Sequence, residues 1–111
     1  MGEILNKPTI LPTPVSAVSG SSVTQALTTN THYIFGTVTS LTITLGAATS
    51  GVVNEYSFEF DSGSTATQLQ IPSTVLGIDT TSVKASTHYE VNIKYNATTD
   101  KYYGLMYGWE A

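Results

Sequence analysis

Three carboxylates of one short stretch, Glu55, Glu59 and Asp61, are the first residues in this sequence whose spacing could support chemistry. In NEYSFEFD they alternate with aromatic residues, so an extended strand places all three on one face. Such a row can supply a general acid and base, or it can hold calcium. It is more often the solvated face of a strand, where charge also discourages edge-to-edge aggregation. We therefore expect no catalytic residue and no metal ligand among them.

The two histidines, His32 and His88, stand in matching triplets, Thr31–Tyr33 and Thr87–Tyr89. Each triplet follows a polar turn and begins a predicted strand, and the alternation places both imidazoles on the solvated face. Neither has a His-x-His neighbour or a nearby carboxylate pair that would complete a metal site. We interpret both as exposed polar residues. The repeated triplet favours coincidence, or a shared way of starting a strand, over two related halves.

The motifs of the common enzyme classes do not occur in this sequence. It contains no nucleophile elbow, no phosphate-binding glycine loop and no HExxH. Cysteine is absent, which removes disulfides, thiolate metal sites and cysteine nucleophiles together. We expect a protein that is not an enzyme and that binds no cofactor.

The C-terminal run KYYGLMYGWE concentrates four aromatic residues, with two glycines interleaved among them. The candidates for ligand binding are Tyr102, Tyr103, Tyr107 and Trp109. Rings with polar tips can stack on sugars, and glycines let a ligand approach the backbone. The alternative is a strand whose residues Tyr103, Leu105, Tyr107 and Trp109 fill the core or a subunit contact, with the glycines opposite large neighbours. We favour packing and keep a carbohydrate-binding module as the alternative function.

The elements that must position these residues are strands. Apolar residues alternate with polar ones in SLTITLG, NEYSFEF, TQLQI and HYEVNIKY, and the turn signals GAATSG, DSGS and NATTD separate the runs. No ten-residue window shows a helical stripe, and residues 73–86 read as a crossover between sheets. The pattern predicts an all-β fold, an antiparallel β-sandwich or jelly-roll-like knob over residues 23–111.

The N-terminal residues 1–22 predict an extended arm, since three of the four prolines fall at Pro8, Pro12 and Pro14. Proline fixes φ and lowers the entropy lost when such an arm becomes ordered. The arm also carries more apolar side chains than a solvated linker needs. We expect it to pack beside identical arms through Leu5, Pro8, Ile10, Leu11, Val15 and Val18.

Composition limits the partners of this chain. With 111 residues it forms one domain, and it carries only 11% charged residues and a net charge of −4. That balance argues against a nucleic-acid partner. No apolar run approaches the length of a membrane helix, and no signal-peptide pattern opens the chain. We expect no membrane insertion and a domain exposed outside a cell or on a particle.

Several stretches resemble bacteriophage fibre proteins. Leu5–Ile10, LNKPTI, is similar to the L-x-N-K-P-T-I-P units that recur in their shafts. The segments NTHYIFG, VTSLTI, GVVNEYSFEF and SGSTAT look like a small β-domain common in such fibres. The likeness covers residues 3 to about 72 and extends more loosely through the strand from Thr87 to Tyr95.

The resemblance implies a virion structural protein on the surface of an extracellular particle. A homotrimer would form a fibre stalk followed by a β-sandwich knob that decorates the phage head or tail and binds other virion proteins. Contact with a host-surface glycan would be a further role. Shafts of this kind carry many NKPT units where this chain has one, and no residue here matches a defined receptor-binding motif.

Overall fold

The computed structural model describes residues 15–18 and 20–110 as a two-layer β-sandwich, which confirms the all-β prediction. The strands are β1 (Val15–Ala17), β2 (Ser22–Leu27), β3 (His32–Thr37), β4 (Ser40–Leu45), β5 (Asn54–Asp61), β6 (Gln68–Gln70), β7 (Val75–Leu76), β8 (Thr87–Asn96) and β9 (Lys101–Glu110). One sheet has the order β1-β3-β5-β8-β9-β7, and the other has the order β2-β4-β6. A single 3₁₀ turn, Thr80–Ser82, interrupts the strands of this part of the chain.

From β1 to β6 the chain alternates between the two sheets, so that each pair of strands makes one turn of a coil. Every second strand returns to the same sheet in the same direction. The pairings β1–β3, β3–β5, β2–β4 and β4–β6 are therefore parallel. We expected antiparallel pairing, and for these strands that expectation is wrong, because the predicted turns cross between sheets and do not close hairpins.

The antiparallel expectation holds for the C-terminal part of the large sheet. β8 pairs antiparallel with β5 from His88 to Tyr95 and with β9 over its whole length. The NATTD turn closes the β8–β9 hairpin, with Asn96 opposite Lys101. In the predicted crossover over residues 73–86, only β7 joins a sheet, and it pairs parallel with the start of β9.

The core lies between the two sheets and consists mainly of aromatic and branched side chains. The strand alternation predicted most of it correctly, including Tyr56, Phe58 and Phe60 of β5, which are fully buried. Phe60 stacks on Tyr89 of β8 with ring centroids 5.3 Å apart. Stacked and edge-to-face pairs of this kind add stability beyond the area that they bury.

Part of the predicted arm belongs to the sandwich. β1 pairs with β3 from Val15 to Ala17, and Val18 packs against the core. Val15 is exposed. The other proposed arm contacts, Leu5, Pro8, Ile10 and Leu11, lie outside the described residues. Between residues 15 and 110, position 19 aside, we find no helix with the length and apolarity needed to cross a membrane.

Candidate functional site

The large sheet has one face toward the core and one face away from it, and we call the second the outer face. Strand alternation places mostly polar or aromatic side chains on it from four neighbouring strands. They are His32, Ile34, Glu55, Ser57, Glu59, Asp61, His88, Glu90, Asn92, Lys94, Tyr103, Leu105, Tyr107 and Trp109. Both histidines, four carboxylates and three aromatic rings thus share one surface.

His32 of β3 is held by two groups of β5. Its Nε2 lies 2.7 Å from Glu59 Oε2, and its Nδ1 lies 2.8 Å from Ser57 Oγ. The parallel pairing of β3 with β5 brings these groups together, although His32 and Glu59 are 27 residues apart. Both side chains are about three-quarters covered. His32 therefore fixes the orientation of the Glu59 carboxylate.

His88 of β8 lies on the other side of Glu59. Its Nδ1 lies 2.8 Å from Asp61 Oδ1, while its Nε2 lies 3.7 Å from Glu59 Oε1 and 3.5 Å from Glu90 Oε2. We call these two histidines with Glu59, Asp61 and Glu90 the histidine–carboxylate cluster. Our expectation of two isolated, exposed histidines is wrong, because both rings are partly buried and paired with carboxylates of neighbouring strands.

The environment of His88 acts on its pKa in two directions. Desolvation, the largest single effect, lowers the pKa, whereas the hydrogen bond and charge of Asp61 raise it, as do Glu90 and the charge of Glu59. The raising effects together exceed the desolvation, so the pKa lies above its ordinary value. A positive charge on this ring is therefore stabilised by the surrounding carboxylates.

Aromatic side chains flank the cluster along β9. Tyr103, Leu105, Tyr107 and Trp109 are each about half exposed, so they do not fill the core, and of the two packing roles that we expected a subunit contact remains. We call these four the aromatic row. Trp109 lies opposite His88, with ring centroids 6.2 Å apart. Tyr102 is separated from the row, because it faces the core side and packs against Tyr95 with centroids 4.7 Å apart.

The glycines of β9 serve packing on the core side. A Cβ on Gly104 would overlap Ile78 and lie 3.0 Å from Val75 Cγ1, and a Cβ on Gly108 would lie 2.8 Å from Tyr89 Cε1. The proposal that glycines lie opposite large neighbours is confirmed.

Two hollows accompany the aromatic row. The larger, of about 540 Å³, lies between β8, β9 and the turn after β7, and its walls include Glu55, Lys94 and Tyr103. Its volume falls within the range of small-molecule sites. The smaller, of about 210 Å³, borders the histidine–carboxylate cluster and includes Asn92 and Tyr107. Asn92 belongs to both hollows, so together they follow the row.

The free edge of β9 is the remaining feature of this region. Among the described residues, β7 pairs only with Tyr102 and Tyr103, which leaves Gly104 to Glu110 without a neighbour on that side. Natural edge strands are protected by lysine, proline, bulges or a covering segment. The stretch GLMYGW has no lysine or proline. This edge and the aromatic row therefore lie side by side and exposed on the described part of the chain.

Sequence reasoning found the aromatic row and missed the cluster. The signal for the cluster was present, since Glu59 and both histidines fall on the solvated side of their strands. Bringing them together required the pairing of β3 with β5, and hairpin turns do not predict that pairing.

We find no protein-family model, no curated protein and no solved structure that matches this chain. The role of the outer face is therefore inferred from its own geometry.

Proposed function

We propose that this chain is a structural domain that associates with copies of itself as a homotrimer, at the distal end of a fibre on a phage head or tail. The observation that supports association is the free edge of β9, with its half-exposed aromatic row. The virion setting and the threefold state are supported by the resemblance of the LNKPTI and NTHYIFG segments to phage fibres.

Copies of the same chain are the occupant that we propose for this edge. The large sheet begins with β1, and at its other side β9 is exposed beyond the two residues that pair with β7, so the sheet presents two different edges. Joining the β9 edge of one copy to the β1 edge of the next is a head-to-tail contact, which closes into a ring when the rotation is a whole fraction of a turn. A trimer needs a rotation of one third.

Light scattering after size exclusion tests the association. We expect a mass of about three chains for the unaltered protein, and a shift toward the monomer for Leu105→Lys, because a charge in the aromatic row opposes burial of the edge. Val52→Lys is the matched control, since Val52 is exposed to a similar extent, 53% against 57% for Leu105, but lies in the turn before β5.

A monomeric mass for the unaltered chain at micromolar concentration would refute the homotrimer. An equal loss of mass in both lysine variants would show that added charge, and not the β9 edge, disturbs the assembly.

A carbohydrate-binding module is the second candidate, and the exposed row beside two hollows is the observation that favours it. Tyr103 and Trp109 offer ring faces, while Glu90, Asn92 and Lys94 offer hydrogen-bonding groups at their sides. Sites of this composition combine apolar surface with a few placed polar groups.

A glycan array, followed by titration of Trp109 fluorescence, tests this candidate. We expect binding to a bacterial surface polysaccharide and its loss in Tyr107→Ala, with Tyr102→Phe unaffected because Tyr102 faces the other side of the sheet. If no glycan on the array is bound and Trp109 emission does not change, the carbohydrate-binding function is ruled out.

A further inference from the structure

We propose that Glu59, His88 and Glu90 bind a divalent transition metal ion of the zinc class on the outer face. The three residues come from two neighbouring strands, β5 and β8, and each offers one ligand atom within 4.8 Å of the other two. The site goes beyond the proposed function, which uses no metal.

The spacing around His88 Nε2 fits a tetrahedral ion. This nitrogen lies 3.5 Å from Glu90 Oε2 and 3.7 Å from Glu59 Oε1. Zinc ligands about 2.0–2.1 Å from the metal lie about 3.3–3.4 Å from one another at tetrahedral angles. Small side-chain rotations would bring both oxygens to that separation.

Groups outside the three ligands orient two of them. Asp61 lies 2.8 Å from His88 Nδ1 and holds the proton on that nitrogen, so Nε2, between Glu59 and Glu90, is the ligand atom once the ion displaces its proton. His32 binds Glu59 Oε2 at 2.7 Å and leaves Oε1 for the ion. A carboxylate on the far nitrogen of a ligating histidine is the usual supporting arrangement in metal sites.

The cross-strand register gives a further reason for a cation here. Glu59 of β5 and Glu90 of β8 lie directly opposite each other, and like charges in that relation destabilise a sheet. A divalent ion between them would convert this repulsion into attraction. Glu90 also lines the hollow beside Tyr107, so a water or a ligand oxygen could reach the ion from there.

The ligand chemistry selects the metal class. One imidazole nitrogen with two carboxylate oxygens suits Zn²⁺, Co²⁺ or Ni²⁺. Calcium takes six to eight oxygen ligands and is a poor match for three ligands that include a nitrogen.

Trp109 provides a built-in reporter for the test. It is the single tryptophan of the chain, and its ring lies 6.2 Å from that of His88. An untagged, chelator-treated protein is titrated with Co²⁺ while Trp109 emission is followed, and with Zn²⁺ in a calorimeter. We expect saturable quenching and one ion per chain.

The variants Glu90→Gln and His88→Gln should each weaken binding at least tenfold, and Asp61→Asn should weaken it about tenfold through the orientation of His88. Glu55→Gln is the matched control. Like Glu90→Gln, it removes one negative charge from the outer face of the large sheet, but Glu55 lies outside the site. It should change the affinity less than twofold. Circular dichroism checks that each variant is folded, and Glu90 is the safest position because its side chain is about half exposed.

The proposal is overturned if neither ion shows saturable binding up to millimolar concentration. It is also overturned if Glu55→Gln weakens binding as much as Glu90→Gln, since the ion would then respond to net charge alone.

Discussion

Asn54 is the polar residue on which the long turn between β4 and β5 depends. It is completely buried at the first position of β5. Its amide nitrogen donates to the carbonyls of Thr49 and Val52, and its Oδ1 accepts from the Thr49 amide at 2.8 Å. A buried side chain with all of these bonds made stabilises the turn that carries the chain from one sheet to the other.

Replacing this side chain should therefore be costly. We expect Asn54→Ala to lower the free energy of unfolding by about 2–3 kcal/mol, because it removes the three hydrogen bonds that a fully buried side chain makes to the turn. Chemical denaturation measures the loss. Asn92→Ala, on the exposed outer face, should stay within about 0.5 kcal/mol of the parent. Similar values for the two variants would contradict this account of the turn.

Tyr56 anchors the other end of the same turn, since its hydroxyl donates to the Gly46 carbonyl at 2.8 Å. Burial raises the pKa of Tyr56 above its ordinary value, and the interaction with Tyr102 raises it further. The folded state holds the phenol proton more tightly than the unfolded state does. The contribution of Tyr56 is therefore complete below a pH of about 10 and is lost as the pH rises through the folded pKa.

Comparison of the parent with Tyr56→Phe tests this linkage. At pH 8 the variant should have the lower melting temperature, because the hydrogen bond to Gly46 is gone. Above pH 10 the difference should narrow, since only the parent can lose a proton at this position. A difference that stays constant, or grows, would show that Tyr56 does not contribute to the alkaline loss of stability.

At the scale of single residues, the sequence predicted which side chains are buried better than it predicted which side chains touch each other. The period of two correctly separated Phe58 and Phe60 from Glu59. It could not predict that Glu59 lies between His32 and His88, because each contact joins strands that are far apart in the chain. The alternation did not predict that Tyr103 is exposed, because the bulky residues of β9 lie on its outer face while its core side carries Gly104 and Gly108.

The glycines of β9 allow neighbouring segments to pack closely against this strand. Gly104 lies under Val75 and Ile78, so the segment around β7 can approach β9 closely enough to pair with it. We expect Gly104→Ala to reduce stability by about 1–3 kcal/mol, because the added methyl group overlaps packed side chains. Thermal and denaturant unfolding measure the effect.

Gly63→Ala is the comparison for this prediction. A Cβ at Gly63 meets only Thr37 Cγ2, at 3.4 Å, which is ordinary contact. We expect little change there. If Gly104→Ala were as stable as Gly63→Ala, the prediction would be wrong, because Ile78 could then move aside for the added methyl group.

The two Thr-His-Tyr triplets prove to be a shared way of starting a strand. Tyr33 Oη accepts from the amide of Thr28 at 3.0 Å, and Tyr89 Oη accepts from the amide of Lys84 at 2.6 Å. In both cases the tyrosine closes a turn five residues earlier, and its histidine neighbour faces Glu59. A pattern of three residues in sequence thus corresponds to a repeated local structure.

At the scale of the strands, the sequence did not predict whether neighbouring strands pair parallel or antiparallel. Glycine and serine in GAATSG and DSGS mark a change of direction, but they do not say whether the next strand lies beside the last one or across the core. Hairpins are the commoner outcome. Here β4 and β5 lie in opposite sheets, and only the final NATTD turn closes a hairpin.

On the scale of the whole molecule, the boundary of the folded body moves toward the N-terminus. Since β1 pairs with β3 and Val18 donates its amide to the Ile34 carbonyl, residues 15–18 belong to the sandwich. Removal of residues 1–14 should leave all nine strands in place and change the melting temperature little.

Removal of residues 1–20 should lower the melting temperature further than removal of 1–14, because it deletes β1 and exposes the edge of β3. Differential scanning calorimetry of the two truncated chains measures the difference. Equal melting temperatures would mean that β1 adds nothing to the stability of the sheet. In both chains, light scattering reports how far association depends on the deleted residues.

The coil formed by β1 to β6 also makes this protein easy to lengthen. Each turn of the coil adds one strand to each sheet and repeats the direction of the turn before it. A duplicated turn could therefore be inserted without reversing the direction of any neighbouring strand. In an antiparallel meander, adding a single strand reverses the direction of every strand that follows. In evolution, or in a designed series, turns of the coil could be added one at a time, while the β8–β9 hairpin and its outer face stay unchanged.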